Sequence, residues 1–277
     1  MTRILTLTAL FAAAVPALDA QQMLLRMTPA EGSVVRYKAD AKVWVVSVAI
    51  PTPDPSQPMM SMVGYITQTV DAVGGDTVHI TAMVDSANIG LPAAMGAAGM
   101  PDLSGMRMSM TLDTRGRILQ SGVDPNTLPA QLRGAESMLQ QNFGGVSLNL
   151  PEGPISPGDT WTFDHNDEIA NFGGTLDMET HTEYRLESID GSGGNRVAII
   201  SASGTVSQQT QQDGDTPPMM NISLNGSMTG EFVIDLGRGI IVSATNNTNL
   251  EGELTMAQAG QSFPMQVTSE ILLTLMD

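Results

Sequence analysis

Not one of the 277 residues is cysteine. That excludes disulfides, thiolate-ligated zinc and thiol nucleophiles, so packing alone must stabilise the chain. Aromatic residues make up only 4%, which leaves aliphatic side chains and methionine to fill a core. Histidine is limited to His79, His165 and His181, little raw material for nucleophilic or metal-assisted hydrolysis. Positive charge is scarce as well: 12 Lys and Arg face 29 Asp and Glu, for a net charge of −17. That balance disfavours nucleic acid or an anionic membrane surface as partner. No Gly-rich phosphate loop or nucleophile elbow is present, so a non-enzymatic protein without cofactor or metal is expected.

Long apolar runs are missing too. The longest, Ile4–Val15, falls short of the ~20 residues that span a bilayer. Arg3 precedes it and Pro16-Ala-Leu-Asp-Ala20 follows, which is the pattern of a secretory signal cleaved after Ala20, with Ala17 the second choice. The expected organisation is signal 1–20, first β repeat 21–127, helix and linker 128–157, and second β repeat 158–277. A mature chain of about 257 residues suits one large β domain or two small ones. It would be periplasmic or secreted from a bacterium, with no transmembrane segment. The absence of cysteine beside the cleavage region excludes a thiol-linked lipid anchor.

What the chain does have is a copy of itself. Tyr65–Ala82 aligns without a gap over Tyr184–Ser201, keeping Tyr, Asp, Gly-Gly, Val and Ile in register. Upstream, Gly32–Tyr37 matches Gly158–Phe163. Downstream, Leu112–Ile118 matches Ile234–Ile240 with one residue inserted. Self-similarity of this kind implies two copies of one supersecondary unit.

Each unit reads as strand. In Met106–Asp113 the Met and Leu residues alternate with Arg, Ser, Thr and Asp, and Ile222–Asp235 and Phe263–Leu275 repeat the scheme. Period-two alternation with one wet face predicts mainly antiparallel all-β structure. Val73-Gly-Gly-Asp76 and Ser192-Gly-Gly-Asn195 supply hairpin turns, and Thr114-Arg-Gly-Arg117 and Gly237-Arg-Gly239 supply a second pair. The expectation is two tandem repeats of five and six strands forming a large curved sheet or open barrel. One helix is predicted near 128–143, where Leu128, Leu132, Ala135 and Leu139 recur at helical spacing and Gly144-Gly145 follows.

Chemistry-bearing candidates are few. Glu179-Thr-His-Thr-Glu183 sets His181 between two carboxylates on one strand face, a conceivable metal triad but more simply a solvated face. The acidic clusters Asp164–Glu168 and Asp213–Asp215 lack the dense alternating ligands of a calcium loop. Asp113 and Asp235 recur beside hairpin turns, where Asp usually accepts local backbone N–H groups. Methionine is the exception to this blandness, with 20 in the chain. Met95, Met100, Met106, Met108 and Met110 are the candidate ligand-facing residues. Such clusters serve as core filling, as a pliable apolar groove, or as soft ligands for Cu(I).

At Gly158-Asp-Thr-Trp161, preceded by Leu150-Pro-Glu-Gly-Pro-Ile-Ser-Pro157, the chain resembles a family of secreted bacterial β-rich proteins of unknown function. That resemblance assigns no catalytic residue. The strand count and helix also resemble the open-barrel fold of periplasmic lipoprotein carriers, which implies a curved sheet wrapped over an apolar cavity. The function expected is binding of an apolar small molecule or lipid on a Met-lined concave face. The alternative is a structural or protein-interaction module of the cell envelope, contacting an envelope protein through its acidic faces and its tips at 51–58 and 208–218.

Overall fold

In a computed structural model, residues 22–48, 54, 56–91, 101–132, 148–171, 174–211, 220–256 and 260–276 are described. The alternating segments all become strands: β1 Val34–Ser47, β2 Met60–Gly74, β3 Thr77–Gly90, β4 Arg107–Asp113, β5 Ile118–Val123, β6 Thr160–Asn171, β7 Gly174–Asp190, β8 Val197–Gln211, β9 Met220–Asp235, β10 Ile240–Met256 and β11 Gln261–Met276. They form one antiparallel sheet in the order β5-β4-β3-β2-β1-β11-β10-β9-β8-β7-β6. Each copy is a meander, and the two are joined where β1 pairs with β11, from Arg36↔Met276 to Ser47↔Met265. The all-β, antiparallel expectation holds. The sheet does not close into a barrel, because β5 and β6 stand at opposite edges. β6 carries Asp164, His165, Asp167 and Glu168, and charge of this kind on an edge strand discourages pairing with another chain.

Of the helix predicted near 128–143, the described residues contain a single 3₁₀ turn, Ala130–Leu132, and residues 133–147 lie outside the described set. Leu128 is nevertheless buried, as a concave-face residue should be, against Met106 and Met108.

Tight turns gather at one end of the sheet, and two irregular segments run across that end. Met23 and Ile155 exchange backbone bonds of 2.8 and 3.0 Å, Met27 N–H donates to Thr114 O at 2.8 Å, and Leu150 N–H donates to Arg115 O at 2.9 Å. At Gly239 (φ +65°) the backbone of Thr28 and Pro29 lies where a Cβ would project, so only glycine permits this approach. Through these segments Leu25, Leu148 and Leu150 become completely or almost completely buried against Leu186, Ile200 and Ile234. A second core, in the first copy, packs Val84, Leu103, Met106 and Leu128.

Candidate functional site: an apolar cavity beside the seam

The strand ladders give a second, structural alignment of the copies. In the second copy Trp161 on β6 faces Tyr184 on β7, and Tyr184 faces Ala202 on β8. In the first copy the same path runs from Val35 on β1 to Gln68 on β2 and Ala82 on β3. One strand further, Ile200 faces Phe232 while Ile80 faces Met110. The positions held by Trp161, Tyr184 and Phe232 are therefore held in the first copy by Val35, Gln68 and Met110.

This corrects the ungapped alignment, which sets Tyr65 against Tyr184. The reason is turn length. The β2–β3 ladder skips Asp71 and the β7–β8 ladder skips Glu187 at equivalent positions, but Gly74 and Thr77 close a two-residue turn where Asp190 and Val197 close a six-residue one. An ungapped alignment therefore runs three residues out of step on β2 and β7, and an odd offset reverses which face a side chain occupies. Tyr184 is 4% exposed inside. Tyr65 lies half-buried under the Arg36 guanidinium, 5.7 Å from its ring centre.

The substitution has a direct packing consequence. In the second copy, Trp161 stacks on Tyr184 at 5.5 Å and 15°, and Phe232 tilts against Tyr184 at 6.3 Å. Trp161 Nε1–H also donates to Asn149 O at 2.6 Å. The rings fill that half of the concavity. In the first copy, smaller or unbranched side chains leave a partly enclosed cavity of about 170 Å³. Val35, Gln68 and Met110 all line it, with Ile66, Val70 and Ile80 from the sheet and Met27 and Leu148 from the crossing segments. Its far wall comes from the other copy, through Ile241, Ile271 and Leu273.

Three polar side chains reach the lining. Tyr37 donates its hydroxyl to Ile241 O at 2.9 Å, and burial pushes its pKa from 10.0 to about 12. Asp113 accepts the N–H groups of Arg115 and Arg117 at 2.9 and 3.0 Å and the Arg117 Nε at 3.2 Å. Asp235 repeats this turn with Gly237 and Arg238, as the recurrence of these aspartates suggested. The backbone and side-chain bonds from Gly237 and Arg238 lower the Asp235 pKa against a larger opposing effect of desolvation, the net direction being down. Gln68, the third, makes no side-chain hydrogen bond among the described residues.

Of the five candidate methionines, the structure places Met110 on the cavity wall. Met106 and Met108 are core, 0% and 6% exposed respectively, and pack against the buried Leu103 and Leu128 rather than open space. Met95 and Met100 lie outside the described residues. Alternation had put 106, 108 and 110 on one face correctly; it carries no information about which of them meets a neighbour. Met62 and Gln68 line the cavity without having been singled out. Gln68 has a legible signal in hindsight, as an amide between the apolar Ile66 and Val70 on an inward face.

The histidines sit elsewhere. His181 pairs with Asp164 on the exposed outer face, and His165 with Asp167 at 2.9 Å. No group of three or more His, Asp or Glu among the described residues is arranged to hold a metal ion.

Residues 131–241 match the model of DUF6263, a family of unknown function. No curated protein matches the chain. Among solved structures, a multiply substituted porin of Rh. blastica is similar at 7% identity and a TM-score of 0.27, over 88% of this chain and 99% of the porin. A structure titled "Asymmetric conductivity of engineered proteins" follows at 8% identity and 0.26, over 89% of this chain and all of the other. Both scores lie below those of proteins that share a fold. Among the described residues no helix is long and apolar enough to cross a membrane. The chain is thus similar, over less than half its length, to a family whose function is unknown.

Proposed function

We propose that this is an exported, non-enzymatic binding protein that holds an apolar or lipid-like ligand in the cavity between β1–β4 and β10–β11. The observation that carries this reading is the difference between the copies. Where the second is packed solid by Trp161, Tyr184 and Phe232, the first is hollow and walled by aliphatic and Met side chains. Empty apolar volume forfeits dispersion contacts, so a duplicated fold that could fill it with rings and leaves it open gains from an occupant. About 170 Å³ accommodates a benzene-sized ring or a short acyl segment. It lies below the ~300 Å³ at which drug-sized pockets begin, so a longer chain would have to extend through the mouth. Met62 and Met110 suit such a site because thioether side chains adapt to irregular guests.

Native mass spectrometry of the protein from its host tests the proposal, together with titration by hexane while the ¹³C-methyl signals of Met62 and Met110 are followed. A mass excess lost on denaturation, or hexane shifts at these two methyls and not at exposed Met60, supports it. The bare mass together with unmoved methyls overturns it.

A second reading, an interaction module of the envelope, is favoured by exposed apolar side chains near one end of the sheet. Val46, Val48, Met60, Leu91 and Met220 are 39–80% exposed at strand ends there. Val48→Lys combined with Met60→Lys should release a partner held at this end and leave hexane binding unchanged. Retention of all crosslinked partners by that variant would remove this reading.

A further inference from the structure

Resting on the cavity reading, we propose that Gln68 selects the ligand, and that the ligand class is a neutral amphiphile with a hydroxyl or amide group rather than a pure hydrocarbon or a carboxylate. Gln68 lies on the inner face of β2 between Ile66 and Val70, and its cross-strand partners are Val35 and Ala82. All four neighbours are apolar. It lines the cavity, is half-buried, and makes no side-chain hydrogen bond among the described residues. The other polar side chains of the lining, Tyr37 and Asp113, are already bonded to Ile241 and to Arg115 and Arg117.

An amide offers two N–H donors and one acceptor. Covering it with hydrocarbon strips its water and leaves these groups unpaired, which costs more than the hydrogen bond is worth when made. A guest whose polar group both donates and accepts satisfies the amide as it displaces that water. A carboxylate has no such match. Among the described residues the cavity lining contains no cationic side chain, and Arg115, Arg117 and Arg238 of the adjoining turns are paired with Glu152, Asp113 and Asp235. A site that hydrogen-bonds a ligand group discriminates strongly against the analogue that lacks it.

The experiment compares 1-hexanol, hexane and hexanoate at pH 8, binding to the wild type and to Gln68→Met, followed by the methyl signals of Met62 and Met110. The thioether approximates the length of the amide, and Gln68→Leu serves as a second variant if Gln68→Met melts lower. The expected result is that Gln68→Met weakens hexanol about tenfold, the worth of one hydrogen bond, while hexane binds as tightly or more tightly. Hexanoate should bind at least tenfold more weakly than hexanol to the wild type. Hexanol and hexane changing by the same factor would overturn the role of Gln68 while leaving the cavity reading intact. Neither compound moving the methyls of the wild type would overturn both.

Discussion

Gln68 occupies in the first copy the place that Tyr184 occupies in the second, each lying between the opening strand of its copy and an alanine, Ala82 or Ala202. Around Tyr184 the concavity is filled by stacked rings; around Gln68 it is open. The candidate site is thus a position where two equivalent surfaces diverged in volume, and this makes its energetics testable by moving one copy toward the other.

Met110→Phe installs the residue that the second copy has at this place. It should reduce the cavity and weaken hexane binding at least tenfold, without lowering the melting temperature. Overpacking would instead cost about 1–3 kcal/mol, so a thermal melt beside the titration separates filling from strain. Unchanged hexane affinity would show that the guest does not reach Met110.

Trp161→Ala removes the ring that stacks on Tyr184 and the indole bond to Asn149. Because Trp161 is only partly buried, the cost should fall at or below the lower end of the about 3–5 kcal/mol that large-to-small aromatic changes cost in a packed core. Denaturant unfolding should register a loss of that size. A loss under 1 kcal/mol would mean the second copy tolerates a void as well as the first does, and the argument from their difference would fall.

Met108 and Met110 alternate on one strand and should respond differently. Met108 is buried against Leu103 and Leu128, so Met108→Asp leaves an uncompensated buried charge and should abolish the cooperative melt. Met108→Leu should stay within about 1.5 kcal/mol of wild type. A folded Met108→Asp that had lost only ligand binding would instead place Met108 in the site.

Tyr37 provides a pH signature. Its pKa rises from 10.0 to about 12 because burial disfavours the phenolate, an effect that Arg238 partly offsets. The folded state thus holds this proton more tightly than the unfolded chain does. The stabilisation is complete below pH 10 and is lost as pH climbs toward 12, by about 3 kcal/mol. The unfolding free energy of wild type relative to Tyr37→Phe should fall by that order between pH 9 and 12. A difference independent of pH would contradict it.

The export proposal has its own measurement. Intact mass of the protein from its host should lack residues 1–20, and retention of Arg3 in the N-terminal peptide would refute cleavage there.

Individual residues show how much was legible. Asp113 and Asp235 announced their turn role because it is local: each carboxylate accepts N–H groups two to four residues away. Met106, Met108 and Met110 were assignable to one face because pleat geometry is also local. The Tyr65–Tyr184 correspondence failed because the turn after β7 is four residues longer than the turn after β2, and only the pairing of the two strands shows where such a turn begins and ends. The helix expected over 128–143 rested on apolar spacing; of its apolar positions Leu128 is buried against the sheet, just before the 3₁₀ turn Ala130–Leu132, and residues 133–143 lie outside the described set.

By itself, then, the sequence determined the all-β class, the duplication, the inward face of most strands and the hairpin turns, since each follows from period-two sterics and glycine conformation over a few residues. The pairing of β1 with β11, the strand register that turns Tyr184 in and Tyr65 out, and the hollow beside Gln68 were decided only by tertiary structure. They depend on which distant strand lies alongside and what volume faces across the concavity, and neither is a property of a local segment.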